Sequence, residues 1–358
     1  MNFHLRNFSK KFFMGIAAMA ALTLVSCSSD DLDSVSDNSS KNEAISFDGY
    51  WGRSAVAVNG SRASELDNKV ALQGLSEGFG VFGNYSEETD TRYGENLFKN
   101  QPVTYSSAES KWTYNPVKYW STKGHIDFLA YAPYVNGTTL TDSKIVFTVG
   151  QDAAAQKDLL WANAKDQKKS NQPVTFTFNH ALAKIGYTVK TNVADANVII
   201  TLNKITLAGS ATDPTVGAFY TKGTINLSKD LNKADDGTEL WTNREGKQCL
   251  TWSTGFPDNI ASSPVSKPDY LFVIPQDFST GTNELYVIVD YTISYKDGVN
   301  ANMKSTVSSN KIIKNFEQGK AYTINLNIGL TKIDFDVTDV KAWTTGDGIN
   351  IDSWDDIK

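Results

Sequence analysis

In the second half of the chain the apolar side chains recur at every second position over long runs, and that spacing restricts the fold to strands. Leu285, Val287, Val289, Tyr291, Ile293 and Tyr295 hold one parity. Tyr322, Ile324, Leu326, Ile328 and Leu330 do the same, with Thr323, Asn325 and Asn327 between them. Successive side chains of a strand point to opposite faces, so each run describes one apolar and one polar face. Val174, Phe176, Phe178, His180 and Leu182 share a parity, whereas Ile185, Tyr187 and Val189 take the other. A flat strand with one buried face cannot switch, which places a bulge or turn near Asn179 to Lys184. His180 sits in the buried register just before it and reads as a core histidine bonded to backbone. Parity changes again between Val198, Ile200 and Leu202 and the pair Ile205 and Leu207. Leu271-Phe272-Val273-Ile274 is continuously apolar, as expected of a strand covered on both faces, and Pro275 stops it. Ile333, Phe335 and Val337 then lead to Trp343.

The first half carries shorter strand signals at sandwich spacing. They include Ile45-Ser46-Phe47, Ala55 to Val58 before the turn pair Asn59-Gly60, Phe79 to Gly83, Trp112 to Tyr114, Ile126 to Tyr131 and Ile145 to Val149. Ala, Gln, Lys and Leu dominate Ala153 to Ala164, which predicts a helical patch there. Residues Lys165 to Pro173 are polar and mark a domain boundary. Ser228 to Gly246 is mostly polar and reads as an excursion at one end of the second sandwich. The fold class is therefore all-β, in two sandwich domains over residues 45–170 and 171–358.

Ahead of the strands, Arg6, Lys10 and Lys11 precede an apolar run from Phe12 to Val25. A basic start and a short apolar core describe a secretory signal peptide over residues 1–26. The run is too short to span a bilayer of roughly 30 Å. Leu24-Val25-Ser26-Cys27 resembles a lipobox, in which Cys27 is acylated and becomes the mature N-terminus. Residues 27–44, rich in Ser, Asp and Asn, bury too little apolar surface to order themselves and read as a flexible lipid tether. No later apolar run approaches the length of about 18 residues that a membrane helix needs.

The chain carries net charge −6, and loss of the leader removes three basic residues and no acid. An acidic surface repels phosphate backbones, so nucleic acid is not an expected partner. With two cysteines in the chain, lipid on Cys27 would leave Cys249 without a disulfide partner. Once His4 goes with the leader, His125 and His180 make a poor inventory for a metal site. The chain contains no Gly-rich phosphate loop, no Gly-x-Ser-x-Gly elbow and no paired cysteines at zinc spacing. A glycosidase needs only two carboxylates about 5 to 9.5 Å apart, and 40 acids supply such pairs by chance. Asp235-Asp236-Gly237 and Asp347 to Asp352 read as solvated turns; the latter lacks the terminal Glu of a calcium loop. Trp112, Trp120 and Trp161 lie in or beside apolar segments and are assigned to the core rather than to a sugar platform. No catalytic residue, cofactor or metal is expected; the chain does not read as an enzyme.

Several segments in series carry a family resemblance. They are the lipobox at Cys27, Ser61-Arg62-Ala63-Ser64, Phe79-Gly80-Val81-Phe82, Lys157-Asp158-Leu159-Leu160-Trp161-Ala162, and the run Val174 to Ile185. Tyr322-Thr323-Ile324-Asn325-Leu326 followed by Trp343 completes the series. In this order the chain resembles the fimbrillin family of Bacteroidales, the lipoprotein subunits of type V pili. Cys27-Ser28-Ser29-Asp30-Asp31 also resembles the acidic signal that sends Bacteroidetes lipoproteins to the outer leaflet.

The resemblance implies two tandem transthyretin-like β-sandwiches, export to the outer membrane on acylated Cys27, and a role as a structural or adhesive subunit of a surface fimbrium. It implies an arginine-specific protease as one partner and other pilus subunits as the rest. The cut removes the first strand, and a neighbour's strand fills the groove by β-strand addition. Five buried apolar side chains would supply on the order of 10 kcal/mol before entropic costs. Arg62, in a polar context after Asn59-Gly60, is the expected cut site; Arg53 and Arg92 are the alternatives. Ile349, Ile351 and Trp354 in the C-terminal tail are candidate anchors of the donor strand. A different reading, a non-polymerising surface lipoprotein that binds glycans for polysaccharide uptake, would need exposed aromatics and no proteolysis.

Overall fold

A computed structural model describes residues 43–51, 66, 69–151, 156–230, 239–266, 269–296, 304–330 and 333–340. The structure is almost wholly β, as the alternation predicts. Strand β1 (Phe47–Trp51) comes first, then a short helix α1 (Lys69–Gln73). β2 (Phe79–Ser86), β3 (Phe98–Ser106), β4 (Lys111–Thr113), β5 (His125–Ala132), β6 (Lys144–Thr148), β7 (Leu160–Gln167) and β8 (Val174–His180) follow. All of these strands except β6 build one seven-stranded sheet in the order β1-β8-β7-β5-β2-β3-β4. Val174 to His180, just after the polar stretch, thus pairs with strands that precede it.

The sheet rolls until its two edges meet. The Ile45 N–H donates to Lys118 O at 2.8 Å, and the Trp120 N–H donates to Glu43 O at 3.0 Å. Ala44 and Tyr119 form an antiparallel bridge between them. One face of the sheet encloses Phe47, Phe79, Phe98, Phe128 and Phe176 together with Leu66, Leu72, Trp112 and Trp120. The opposite face presents Phe82, Leu129, Tyr131 and Trp161 to a second apolar cluster. Every residue of β5 is buried as a result, because both faces of the sheet centre are covered.

Beyond β8 come β9 (Ala183–Thr191), β10 (Val198–Ala208), β11 (Phe219–Asn226), β12 (Trp241–Gln248) and β13 (Leu250–Trp252). β14 (Val265–Ser266), β15 (Leu271–Val273), β16 (Gln276–Asp277), β17 (Tyr286–Tyr295) and β18 (Lys304–Lys311) follow. The last are β19 (Asn315–Phe316), β20 (Ala321–Ile328) and β21 (Ile333–Val340). One sheet runs β13-β10-β17-β18; another runs β14-β9-β20-β21, with β15 also on β9. Tyr187, Ile200, Leu207, Val287, Tyr291, Ile324 and Leu326 from these two sheets share one core. A third sheet, β12-β11-β6, lays Ile145, Ile225 and Trp241 against the outer face of the seven-stranded sheet.

The parity changes have physical causes in the structure. Between β8 and β9 the two linking residues, Ala181 and Leu182, carry the chain out of one sheet and into another while staying fully buried. In β10 the register against β17 slips between Leu202 and Lys204, a bulge that turns Ile205 and Leu207 back to the core. Leu271 and Val273 face one cluster, Phe272 and Ile274 another, so this run is indeed covered on both sides.

Two expectations need correction. The helical patch over Ala153 to Ala164 is not helical where described: from Leu160 the chain is β7, paired with β5. Cross-strand pairing and burial of Leu160, Trp161 and Ala162 outweigh the helix propensity of Ala, Gln and Lys, which is worth under about 1 kcal/mol per residue. The polar stretch from Ser228 contains β12, whose ends Trp241 and Gln248 are buried while its middle is exposed. His180 is a buried core histidine as expected, and the partner of its Nδ1, at 2.7 Å, is the carboxylate of Asp158. Trp112, Trp120 and Trp161 lie in the core as expected.

Candidate functional site

Strand β1 arises from the alternation Ile45-Ser46-Phe47-Asp48-Gly49. Ile45, Phe47 and Gly49 point inward and are buried; Ser46 is exposed and Asp48 half-buried. The strand runs parallel to β8, with Phe47 opposite Val174, Gly49 opposite Phe176 and Trp51 opposite Phe178. The main chain just ahead of it is gripped from both sides. The Val174 N–H donates to Ser46 O at 2.8 Å, and the Tyr114 hydroxyl donates to Ile45 O at 2.7 Å.

The wall beneath β1 is aromatic. The Phe47 ring lies 5.5 Å from Phe98, 5.4 Å from Tyr114, 5.5 Å from Phe128 and 5.7 Å from Phe176, centroid to centroid. Such edge-on and offset contacts add about 0.5–1.5 kcal/mol each beyond area burial. At Gly49 the wall closes in: a Cβ there would lie 3.1 Å from both the Leu72 side chain on α1 and the Phe178 ring. Outside the wall, Lys69 of α1 reaches Asp48 at 3.1 Å. β1 is therefore an edge strand lying over a groove of β8, α1 and the 114–120 segment. The groove takes two large side chains and one small residue.

Among the described residues β1 makes one of two parallel pairings, the other being β9 with β20. β9 is flanked on its far side by β14 and β15. On that side of β1 the described residues place the 118–120 segment, bonded to residues 43–45 at its start.

Of the residues singled out from sequence, Cys27, Arg53, Arg62, Ile349, Ile351 and Trp354 lie outside the described residues, as do both Asp-rich turns. Arg53 and Arg62 fall in the stretch between Trp51 of β1 and Leu66, which is buried against the groove cluster. Arg92 is described. Its side chain is 57% exposed and its Nε donates to Asp90 Oδ2 at 2.8 Å. That bond lowers the Asp90 pKa and raises that of Arg92. The Arg92 main-chain N–H is held by the buried Asp127 carboxylate at 2.7 Å, so this loop is tied to the centre of the sheet.

Sequence reading did not find the parallel partner of β1 or the small-residue constraint at Gly49. A weak signal for the latter was present: a glycine at an inward strand position marks close approach of another group. Among the described residues no group of three or more His, Cys, Asp and Glu side chains is placed to hold a metal ion. Tyr119 is the aromatic side chain that stands exposed among the large hydrophobics of the described residues, and it lies beside residue 44.

Residues 62–343 match the family model described as fimbrillin-like. A fimbrial protein from Bacteroides vulgatus has a similar structure, with TM-score 0.58 and 20% identity, over 85% of this chain and 100% of that one. A candidate cell adhesion protein from Bacteroides ovatus aligns with TM-score 0.49 and 18% identity, over 86% of this chain and 99% of that one. No curated protein sequence matches the chain.

Proposed function

The chain belongs to the fimbrillin-like family, and from that premise we propose that it is a structural or adhesive subunit of a surface fimbrium, assembled by replacement of β1. It is exported as a lipoprotein on Cys27 and carried to the outer membrane. An arginine-specific protease cuts after Arg62, and a strand from a neighbouring subunit then occupies the groove that β1 leaves.

One observation carries this reading: β1 lies at a sheet edge, seated on apolar pockets, and rejoins the chain through the segment that holds Arg53 and Arg62. A cut at Arg62 leaves Leu66 and α1 with the body of the molecule. It turns β1 from a covalent part of the chain into a ligand of it. Burial of Ile45 and Phe47 contributes about 1.5–3 kcal/mol apiece. Each main-chain hydrogen bond adds about 0.5–1.5 kcal/mol net. Only these two described inward side chains are large, so the strand is held less tightly than five apolar anchors would hold it. A leaving strand of this strength can be displaced by a competitor that makes the same bonds.

Two further observations favour Arg62 over its alternatives. The family match begins at residue 62, so a cut after Arg62 falls at the start of the matched region. Arg92 is held between β2 and β3, and a cut there would divide the seven-stranded sheet without freeing an edge strand.

The test is to treat the purified full chain with an arginine-specific protease and sequence the products. A new N-terminus at Ala63, with multimers that survive mild detergent, is the expected result; Arg62→Ala should block both. Multimers from Arg62→Ala at wild-type yield would overturn the reading, and so would a wild-type chain that stays monomeric and begins at Cys27. In the latter case retention on immobilised polysaccharide would favour the glycan-binding alternative.

A further inference from the structure

Resting on the adhesive reading above for its role but not for its geometry, we infer that a cleft beside the β16–β19 ribbon binds a neutral saccharide. The cleft holds about 490 Å³, within the range of roughly 300–1,000 Å³ usual for small-molecule sites. The ribbon contributes Gln276 opposite Phe316 and Asp277 opposite Asn315. Tyr220 of β11, Arg244 of β12 and the 280–283 loop complete the lining.

The lining is fixed before any ligand arrives. Asp277 accepts from the Ser279 N–H at 2.7 Å and from the Ser279 hydroxyl at 2.6 Å, which sets the turn into the loop. The same bonds hold its carboxyl below the usual range, so it faces the cleft region as an acceptor. Lys247 Nζ donates to Asn283 Oδ1 at 2.9 Å and stands 5.4 Å from the centroid of the Tyr220 ring, tying the loop to the β11–β12 hairpin. Gln276 is buried, and its Nε2 donates to Ala218 O at 3.1 Å. Its Oε1 has no hydrogen-bond partner among the described residues. A buried acceptor left unpaired is costly, and a hydroxyl entering the cleft is a donor that would satisfy it.

The class of ligand follows from the groups present. The side-chain amides of Gln276, Asn283, Asn315 and Gln318 each donate and accept, as sugar hydroxyls do. Tyr220 is half-buried and offers ring carbon against which the C–H face of a sugar can lie. Arg244 adds donors in a fixed plane, and the Glu239 carboxylate beside it stands 3.8 Å away, beyond hydrogen-bond reach. Asp277 and Glu317 set two carboxylates against that one guanidinium, so an anionic ligand meets like charge. A peptide strand is disfavoured as well, because β16 is two residues long and gives too short an edge to extend.

Saturation-transfer NMR on the uncut chain, with glucose, galactose, mannose, N-acetylglucosamine and galacturonate in turn, tests the site. At least one neutral sugar should bind, with Kd on the order of 1 mM, and galacturonate should bind at least tenfold more weakly. Arg244→Ala and Gln276→Leu should each weaken the neutral sugar at least fivefold. Tyr119→Ala, at the exposed aromatic beside residue 44, should leave it unchanged. Melting temperatures separate lost binding from lost folding, and if Gln276→Leu does not fold, Arg244→Ala decides. No binding of any neutral sugar, wild-type affinity in Arg244→Ala, or tighter binding of galacturonate would overturn the cleft as a neutral-sugar site. A wild-type chain that forms multimers after arginine-specific cleavage but binds no sugar overturns the cleft and leaves the assembly standing; one that binds sugar and stays monomeric does the reverse.

Discussion

Asp127 is wholly buried and accepts three hydrogen bonds. They come from the Arg92 N–H at 2.7 Å, the Asp166 N–H at 2.7 Å and the His125 ring at 3.1 Å. The register of β5 against β7 slips opposite this residue, where Asp166 adopts φ 53°, a left-handed conformation that Asp tolerates better than most residues other than glycine. The carboxylate holds that bulge in place by capping its exposed N–H. Asp127→Ala leaves two part-buried main-chain donors without this partner and is expected to cost about 1–3 kcal/mol, read from urea unfolding. Asp127→Asn should cost less, since its amide oxygen still accepts one of them. Beside it, burial and the charges of Asp127 and Asp230 push the Tyr93 phenol up to about 12. In the unfolded chain a tyrosine ionises near pH 10, so the native state then binds more protons than the unfolded one. Stability from this group is complete below about pH 10 and declines as the pH rises to about 12. Tyr93→Phe should flatten that part of the alkaline decline; an unchanged slope would assign it to other tyrosines. Neither role was legible in the sequence, where Asp127 reads as one polar residue within an apolar run.

At the scale of strands, β1 and β9 offer a direct comparison. Both pair in parallel with a later strand, but β9 lies inside its sheet and β1 at an edge. Edge strands with few partners open at lower free energy than central ones. In hydrogen exchange on the uncut chain, the amides of residues 45–51 should therefore exchange well before those of 183–191. Equal protection would mean that β1 is locked as firmly as the core and is a poor candidate for replacement. Strand existence was largely readable because alternation is local: each of β10, β17 and β20 announces its own buried face, and a break in parity announces a bulge. Where pairing rather than pattern decides, the reading failed. β7 carries helix-forming residues, yet becomes a strand because β5 offers it a partner and a buried face.

Among the described residues three apolar clusters make up the core of the molecule, and β1 contributes to one of them. The other two contain no residue of β1, so a chain cut at Arg62 is expected to retain most of its β-structure while its groove waits for a strand. An assembly of this type joins subunits by completing a fold rather than by docking finished surfaces. Its specificity then resides in a short strand and the pockets that receive it.

The amino-acid order alone determined that the described residues are almost wholly β, where many strands begin and break, and that Trp112, Trp120 and Trp161 are core. It also supplied the series of segments that resembles the fimbrillins. These properties follow from side-chain periodicity within a few residues. The pairing of Phe47 with Val174, the meeting of residues 43–45 with 118–120, and the narrow space at Gly49 were decided only in three dimensions. Each joins segments far apart in the chain. Which strands become neighbours depends on how a whole sheet closes, and no local pattern encodes that.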